Sequence, residues 1–178
     1  LCSDVYKCFD QVDRDMLFHL MSLAGLPSGV MTAYQAFHSN IQYRNTLNGK
    51  LGRPHTRSAS IPQGCPLSMM LIALWAAPWV SLVKKVGGQP RMLADDLLVL
   101  ATGQLHEATL HRATEATISF LKDVGAKLSP SKSKTFSTER TTRQKLRQHC
   151  WSGGFLLPVF ASFRDLGAHL SINGKLVG

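Results

Sequence analysis

Asp95 and Asp96 stand side by side inside Met92-Leu93-Ala94-Asp95-Asp96-Leu97-Leu98-Val99-Leu100, an apolar run that otherwise reads as a buried strand. Adjacent ionised carboxylates raise each other's pKa and lose hydration on burial, and a divalent cation offsets both costs. A β-turn that points the two acids into water also fits the pair. A second acidic strand end, Asp4 in Leu1-Cys2-Ser3-Asp4-Val5-Tyr6, favours the shared cation. Oxygens converging from two strands suit Mg²⁺, a hard ion with octahedral preference. Two such ions about 3.5–4 Å apart can support an in-line phosphoryl displacement. That reaction needs charge neutralisation and alignment more than a protein nucleophile. No Gly-x-Ser-x-Gly turn or Ser–His–Asp arrangement competes with this chemistry. His106 and His111 fall on a polar helix face at the wrong spacing for paired ligands, and they are expected to be solvated.

The elements that must position these acids follow from periodicity and turn chemistry. A short strand ends at Asp4. Asp13 is the expected N-cap of a helix whose apolar residues Met16, Leu17, Leu20, Met21 and Ala24 share a face, and which stops at Gly25-Leu26-Pro27. Asp10 and Asp13 read as helix caps rather than ligands. A second helix spans about residues 28–38, and Ile41, Tyr43 and Leu47 alternate toward an Asn48-Gly49 hairpin turn. The loop Ser60-Ile61-Pro62-Gln63-Gly64-Cys65-Pro66 leads into an apolar run over residues 69–83, holding Trp75, Pro78 and Trp79 and closed by Lys84-Lys85. This run is shorter than the roughly 20 residues of a membrane span and reads as a buried helix. After the acidic hairpin comes a helix over about residues 104–124, stopped by Gly125. Residues 126–128 read as a short strand. Residues 139–149, with Arg140, Arg143, Lys145 and Arg147, read as a basic loop or exposed helix. Residues 166–170 and 175–177 flank a second hairpin signal, Asn173-Gly174. The expected fold is α+β, a small antiparallel sheet with helices on one face.

The 178 residues suffice for one domain with a full core. Lys+Arg 20 against Asp+Glu 11 gives a net charge of +9, which favours a polyanionic partner such as nucleic acid, with a solvated basic face as the alternative. Cys2, Cys8, Cys65 and Cys150 form no Cys-x-x-Cys pair, and the expectation is reduced core cysteines in an intracellular protein. No secretory signal is visible, no membrane partner is expected, and the chain reads as a piece of a longer protein.

Asp4-Val5-Tyr6-Lys7-Cys8-Phe9-Asp10-Gln11-Val12-Asp13 resembles the first catalytic block of reverse transcriptases, especially those of non-LTR (LINE-like) retrotransposons and group II introns. Ile61-Pro62-Gln63-Gly64-Cys65-Pro66-Leu67-Ser68 resembles their Pro-Gln-Gly block, and Leu93-Ala94-Asp95-Asp96 their Tyr/Phe-Ala-Asp-Asp box. Gly125-Ala126-Lys127-Leu128-Ser129-Pro130-Ser131-Lys132 is similar to the block that follows, and Phe163-Arg164-Asp165-Leu166-Gly167 to the hairpin joining palm to thumb. The order of the five blocks is the family's own, across nearly the whole chain.

The resemblance implies a polymerase palm over residues 1–178 that copies an RNA template into DNA by two-metal transfer to a primer 3′-hydroxyl. Asp4 and Asp95 would be the principal ligands of two Mg²⁺ ions (Mn²⁺ being possible), with Asp96 close by. Phe9 would lie beneath the sugar and collide with a 2′-hydroxyl; a plain core Phe is the alternative. Gln63 and Gly64 would run along the nascent base pair, Gly64 being otherwise an ordinary loop glycine. Lys132 would approach the triphosphate, or else be an exposed lysine among serines. The implied partners are RNA template, DNA primer, deoxynucleoside triphosphates, and the fingers and thumb of a parent polyprotein, which the chain lacks by this reading. Leu93 departs from the family's usual aromatic. Two other functions stay open: a non-catalytic nucleic-acid-binding remnant of such an enzyme, and an RNA-directed RNA polymerase.

Overall fold

The computed structural model describes residues 1–62, 64–165 and 168–171. The elements are β1 (Cys2–Asp4), α1 (Cys8–Gln11), α2 (Arg14–Leu23), α3 (Ser28–Asn40), β2 (Thr46–Leu47), β3 (Lys50–Leu51), α4 (Ser68–Lys85), β4 (Gln89–Leu93), β5 (Asp96–Leu100), α5 (His106–Asp123), α6 (Arg140–Gln148), β6 (Cys150–Trp151), β7 (Phe155–Leu156), β8 (Ser162–Asp165) and β9 (Ala168–Ser171). The architecture is α+β. Contacts divide the chain into two compact units, one made of Leu1–Tyr6 with Pro78–Gly178 and the other of Lys7–Ala77.

The first unit is built on an antiparallel sheet of order β1-β5-β4. Alternation sorts its residues by face. Leu97 and Val99 of β5 are buried, whereas Asp96, Leu98 and Leu100 are half-buried. α5 packs against β5 and adds Leu110, Ala113, Phe120 and Leu121 to the core, along with Trp79 and Val83 of α4. Within that core the Trp79 indole N–H donates to the Thr117 hydroxyl at 2.9 Å, and the hydroxyl donates to the Ala113 carbonyl at 2.7 Å. A side chain at Gly88 would collide with Val83, 2.8 Å from where its Cβ would lie, and with Ala113 at 3.2 Å, so only glycine lets the chain turn here between the two helices. β4 and β5 are joined by the two-residue turn Ala94-Asp95, with Leu93 paired to Asp96. Ala94 has φ 53, a left-handed conformation seldom adopted outside glycine, asparagine and aspartate.

The second unit packs α2 against α3. Asp13 caps α2 as expected, its carboxylate accepting from the Met16 N–H at 2.8 Å. Leu17, Met21 and Tyr34 are buried, as are Leu71, Ile72, Trp75 and Ala76 from the first half of α4. Asn48 and Gly49, at φ 49 and 75, form the hairpin turn between β2 and β3, and positive φ at both positions is what a two-residue turn of this hand requires.

Several expectations are corrected. The strand foreseen from Ile41 is only Thr46–Leu47, because Tyr43 makes a single bridge to His55. Residues 126–128 contribute one bridge, Leu128 to Val5, rather than a strand. The strand foreseen at 166–170 is β9, paired with β8; the Asn173-Gly174 signal and residues 175–177 lie outside the described residues. Asp10 lies within α1 and pairs with Arg57 at 3.4 Å instead of capping the next helix. The helix over residues 69–83 is α4, but Met69, Met70 and Leu82 are exposed on it. Residues 139–149 resolve into α6, tied to α5 by Lys145 and Glu107 at 2.9 Å. The histidines are half-buried rather than fully solvated. The His106 ring hydrogen-bonds the Gly103 carbonyl at 2.9 Å, and His111 packs against His149 and Trp151. Burial, then the neighbouring His149, pushes the His111 pKa down. Cys2 and Cys8 are buried, but Cys150 is exposed and Cys65 half-buried, so neither of the latter two is a core residue. Among the described residues, no helix is long and apolar enough to cross a membrane.

Candidate active site

Pairing in the three-stranded sheet places Asp4 directly opposite Asp96, and Asp96 directly opposite Leu93. Directly paired residues of neighbouring antiparallel strands project to the same face. Leu93, Asp96 and Asp4 therefore form one row across the sheet. The neighbouring row, two residues along each strand, is Arg91, Leu98 and Cys2. Both rows lie opposite the buried Leu97 and Val99. They line a pocket of ≈ 270 Å³ together with Lys132 and Lys134. Asp95 sits one residue before Asp96, in the turn, and is half-buried.

The two lysines arrive from far along the chain because the segment after α5 runs beside β1. Gly125, at φ 71, ends α5 and reverses the chain. From there the Tyr6 N–H donates to the Lys127 carbonyl at 2.8 Å and the Ser129 N–H to the Asp4 carbonyl at 2.9 Å. The Asp4 N–H donates to the Ser133 hydroxyl at 3.1 Å, and Cys2 and Lys134 exchange two bonds of 2.8 Å. The amide and the carbonyl of Asp4 are thus both held by the one segment that runs along this edge of β1. These contacts leave Lys132 Nζ 3.8 Å from Asp4 Oδ2, with the lysine side chain 69% exposed and the aspartate 22%. An ion pair so open to water is weak, and a competing phosphate or metal can displace it. Lys134 lies over the Phe163 ring, its Nζ 4.8 Å from the centroid.

Of the residues singled out from sequence, Asp4, Asp96 and Lys132 are brought into one pocket, whereas Asp95, expected with Asp4 to be a principal ligand, sits in the adjoining turn and does not line it, because Asp96 and not Asp95 pairs with Asp4. Phe9 and Gly64 belong to the second unit. There Phe9 is half-buried in α1 and its carbonyl accepts from the Ile61 N–H at 2.7 Å. Gly64 has φ 84, and a Cβ there would meet nothing within 4 Å, so backbone conformation rather than crowding favours glycine. Gln63 lies outside the described residues. Arg91 and Lys134 were not foreseen as pocket residues. Lys134 lies two positions from Lys132, which was, and Arg91 sits on β4, where the alternation of a strand was the available signal.

Among the described residues, no group of three or more His, Cys, Asp or Glu side chains is gathered to hold a metal ion. The acids do not form a closed cage. Mg²⁺ rarely needs one, being bound by one or two carboxylates, waters and substrate phosphates. Two half-buried carboxylates on adjacent strands, with an all-oxygen donor set and lysines at the rim, fit such an open site.

A family model for reverse transcriptase (RNA-dependent DNA polymerase) matches residues 1–152. The chain belongs to the reverse transcriptase family. Both strands that carry the acids of this reverse transcriptase domain, and the segment that brings in its lysines, fall inside the match. No curated protein matches the sequence.

Proposed function

We propose that this chain is the palm of an RNA-templated DNA polymerase of the non-LTR (LINE-like) retrotransposon type. The observation that carries the reading is the direct pairing of Asp4 with Asp96 on the open face of the sheet, beside Lys132 and Lys134. In the reaction a primer 3′-oxygen bonds to the α-phosphorus of a deoxynucleoside triphosphate. The bond from that phosphorus to the bridging oxygen breaks, pyrophosphate leaves, and the hydroxyl proton passes to solvent. Asp4 and Asp96, with Asp95 adjacent, would hold a pair of Mg²⁺ ions (or Mn²⁺), which supply the positive charge that favours primer alkoxide and neutralises the departing phosphate.

The chain's own residues do the positioning. The double anchoring of the Asp4 backbone fixes one carboxylate, and the short turn fixes the other against it. Lys132, Lys134 and Arg91 form a cationic rim suited to a triphosphate or its pyrophosphate product. Lys132 exchanges Asp4 for a phosphate oxygen as substrate enters. Phe9 discriminates against a 2′-hydroxyl, and Gln63 and Gly64 lie along the nascent base pair.

The test is primer extension on an RNA template with Mg²⁺, using the full natural chain that carries this domain. Asp4→Asn and Asp96→Asn are expected to lower extension at least about a hundredfold, as removal of one preorganised charge-stabilising group does. RNA affinity is expected to persist in both variants. Asp95→Asn, measured alongside, shows how the turn carboxylate shares the work. Undiminished extension by Asp4→Asn and Asp96→Asn defeats the reading. Salt-sensitive RNA binding with no extension by the unaltered chain favours a non-catalytic remnant.

A further inference from the structure

Arg14 is 6% exposed, yet among the described residues no carboxylate pairs with it. A buried guanidinium without a counter-charge is costly unless its donors are satisfied. Here oxygens satisfy them. Nε donates to the Ser60 carbonyl at 3.1 Å, Nη1 to the Arg57 carbonyl, and Nη2 to the hydroxyls of Tyr43 at 3.2 Å and Ser60 at 3.4 Å. Two carbonyls and a hydroxyl of one short segment, residues 57–60, are therefore gripped by one planar fork. Lysine, with a single ammonium, cannot reproduce that grip.

The gripped segment is strained. Ser60 has φ 101, a region that side chains with a Cβ rarely enter. Such a conformation persists only where its surroundings over-determine it, and it is a common mark of functional backbone. The surroundings do so here. Besides the guanidinium, the Ser60 N–H donates to the Val12 carbonyl at 2.9 Å and the Ile61 N–H to the Phe9 carbonyl at 2.7 Å. Ala59 bridges Asp13. Arg57 pairs with Asp10 at 3.4 Å and lies 4.6 Å over the Tyr43 ring. The strained residue immediately precedes Ile61-Pro62, the entry to the loop that holds Gly64.

We propose that Arg14 is a positioning residue for polymerisation: by holding Ser60 in its strained conformation it sets the course of Ile61-Pro62, from which the chain goes on to meet the incoming nucleotide and template base. The assignment rests on the proposed function. Arg14 acts through the loop and touches neither substrate. Glycine at position 60 adopts φ 101 without strain, so it relieves the need for the fork.

The test compares the unaltered full natural chain with Arg14→Lys, Ser60→Gly and the double variant. Arg14→Lys is expected to raise KM for the deoxynucleoside triphosphate about tenfold, a sub-ångström misplacement, with kcat changed less than about threefold. Ser60→Gly is expected to recover most of that KM when combined with Arg14→Lys. Hydrogen exchange at the Ser60 and Ile61 amides is expected to quicken at least tenfold in Arg14→Lys, with β5 amides unchanged. An unaltered KM in Arg14→Lys, in a chain that extends primers, overturns the positioning role and leaves the proposed function standing; faster exchange without a KM change makes Arg14 merely structural. Absence of recovery in the double variant also overturns it. No extension by the unaltered chain removes the proposed function, and the positioning role falls with it.

Discussion

Replacing Thr117 with valine tests the packing beneath the acid-bearing sheet. The Thr117 hydroxyl is fully buried and links α5 to Trp79, itself 0% exposed. Valine keeps the shape and removes the acceptor, so the Trp79 indole N–H is left buried without a partner. An orphaned buried donor costs about 1–3 kcal/mol, and about 2 is expected for this neutral N–H. Thr117→Ser keeps the hydroxyl and loses one methyl, at about 1 kcal/mol. For a chain of this length 1 kcal/mol moves Tm by about 2–4 °C, so Thr117→Val should lower it by about 4–8 °C. The decisive comparison is a double-mutant cycle with Trp79→Phe, which deletes the donor. In that background Thr117→Val is expected to cost little, because no donor remains to be orphaned. Urea unfolding followed by circular dichroism reads both midpoint and slope. Equal costs for Thr117→Val with and without the indole N–H would refute the reasoning.

His38 is 4% exposed and among the described residues neither ring nitrogen has a hydrogen-bond partner; burial foremost, then the Arg14 charge, pushes its pKa down to about 4. The unfolded chain takes up this proton below about pH 6.5 while the folded chain resists it. Its contribution to stability is therefore complete above pH 6.5 and declines toward pH 4, by up to about 3 kcal/mol. Urea midpoints at pH 7 and pH 4.5 should differ less in His38→Phe than in the unaltered chain, and an identical difference would count against this. Under the proposed function, Phe9→Ala should raise ribonucleotide incorporation relative to deoxynucleotide in primer extension. A constant ratio in an active variant would return Phe9 to a packing role.

What was legible in the sequence was local. Asp13 caps α2 and Gly125 ends α5 because the orphan groups at helix ends are answered by residues close by in the chain. The acidic hairpin was legible because its strands and turn are contiguous. The row of Asp4 and Asp96 was only constrained, since strands so distant in sequence can pair in more than one register. The passage of residues 127–134 along β1 had no periodic signature, because it proceeds by single bridges and side-chain bonds. His111 looked solvated because the hairpin of β6 and β7, which brings Trp151 over it, turns through Ser152-Gly153-Gly154 and went unread. Arg14 opens α2, and nothing in the sequence marks it as buried. Its burial depends on carbonyls more than forty positions away, and composition carries no trace of them.

Ala94 sets two demands on the molecule against each other. At φ 53 its methyl group costs about 1–2 kcal/mol that glycine would recover, so a screen for hardier variants would favour Ala94→Gly. Yet that methyl also narrows the conformations open to the peptide units on either side of Ala94, and with them the direction in which the chain enters Asp95 and Asp96. A glycine hinge would let the acids wander among orientations that alanine forbids. The variant that best survives heat would then be among the worst at keeping its carboxylates aimed, a trade between durability and precision confined to one carbon atom.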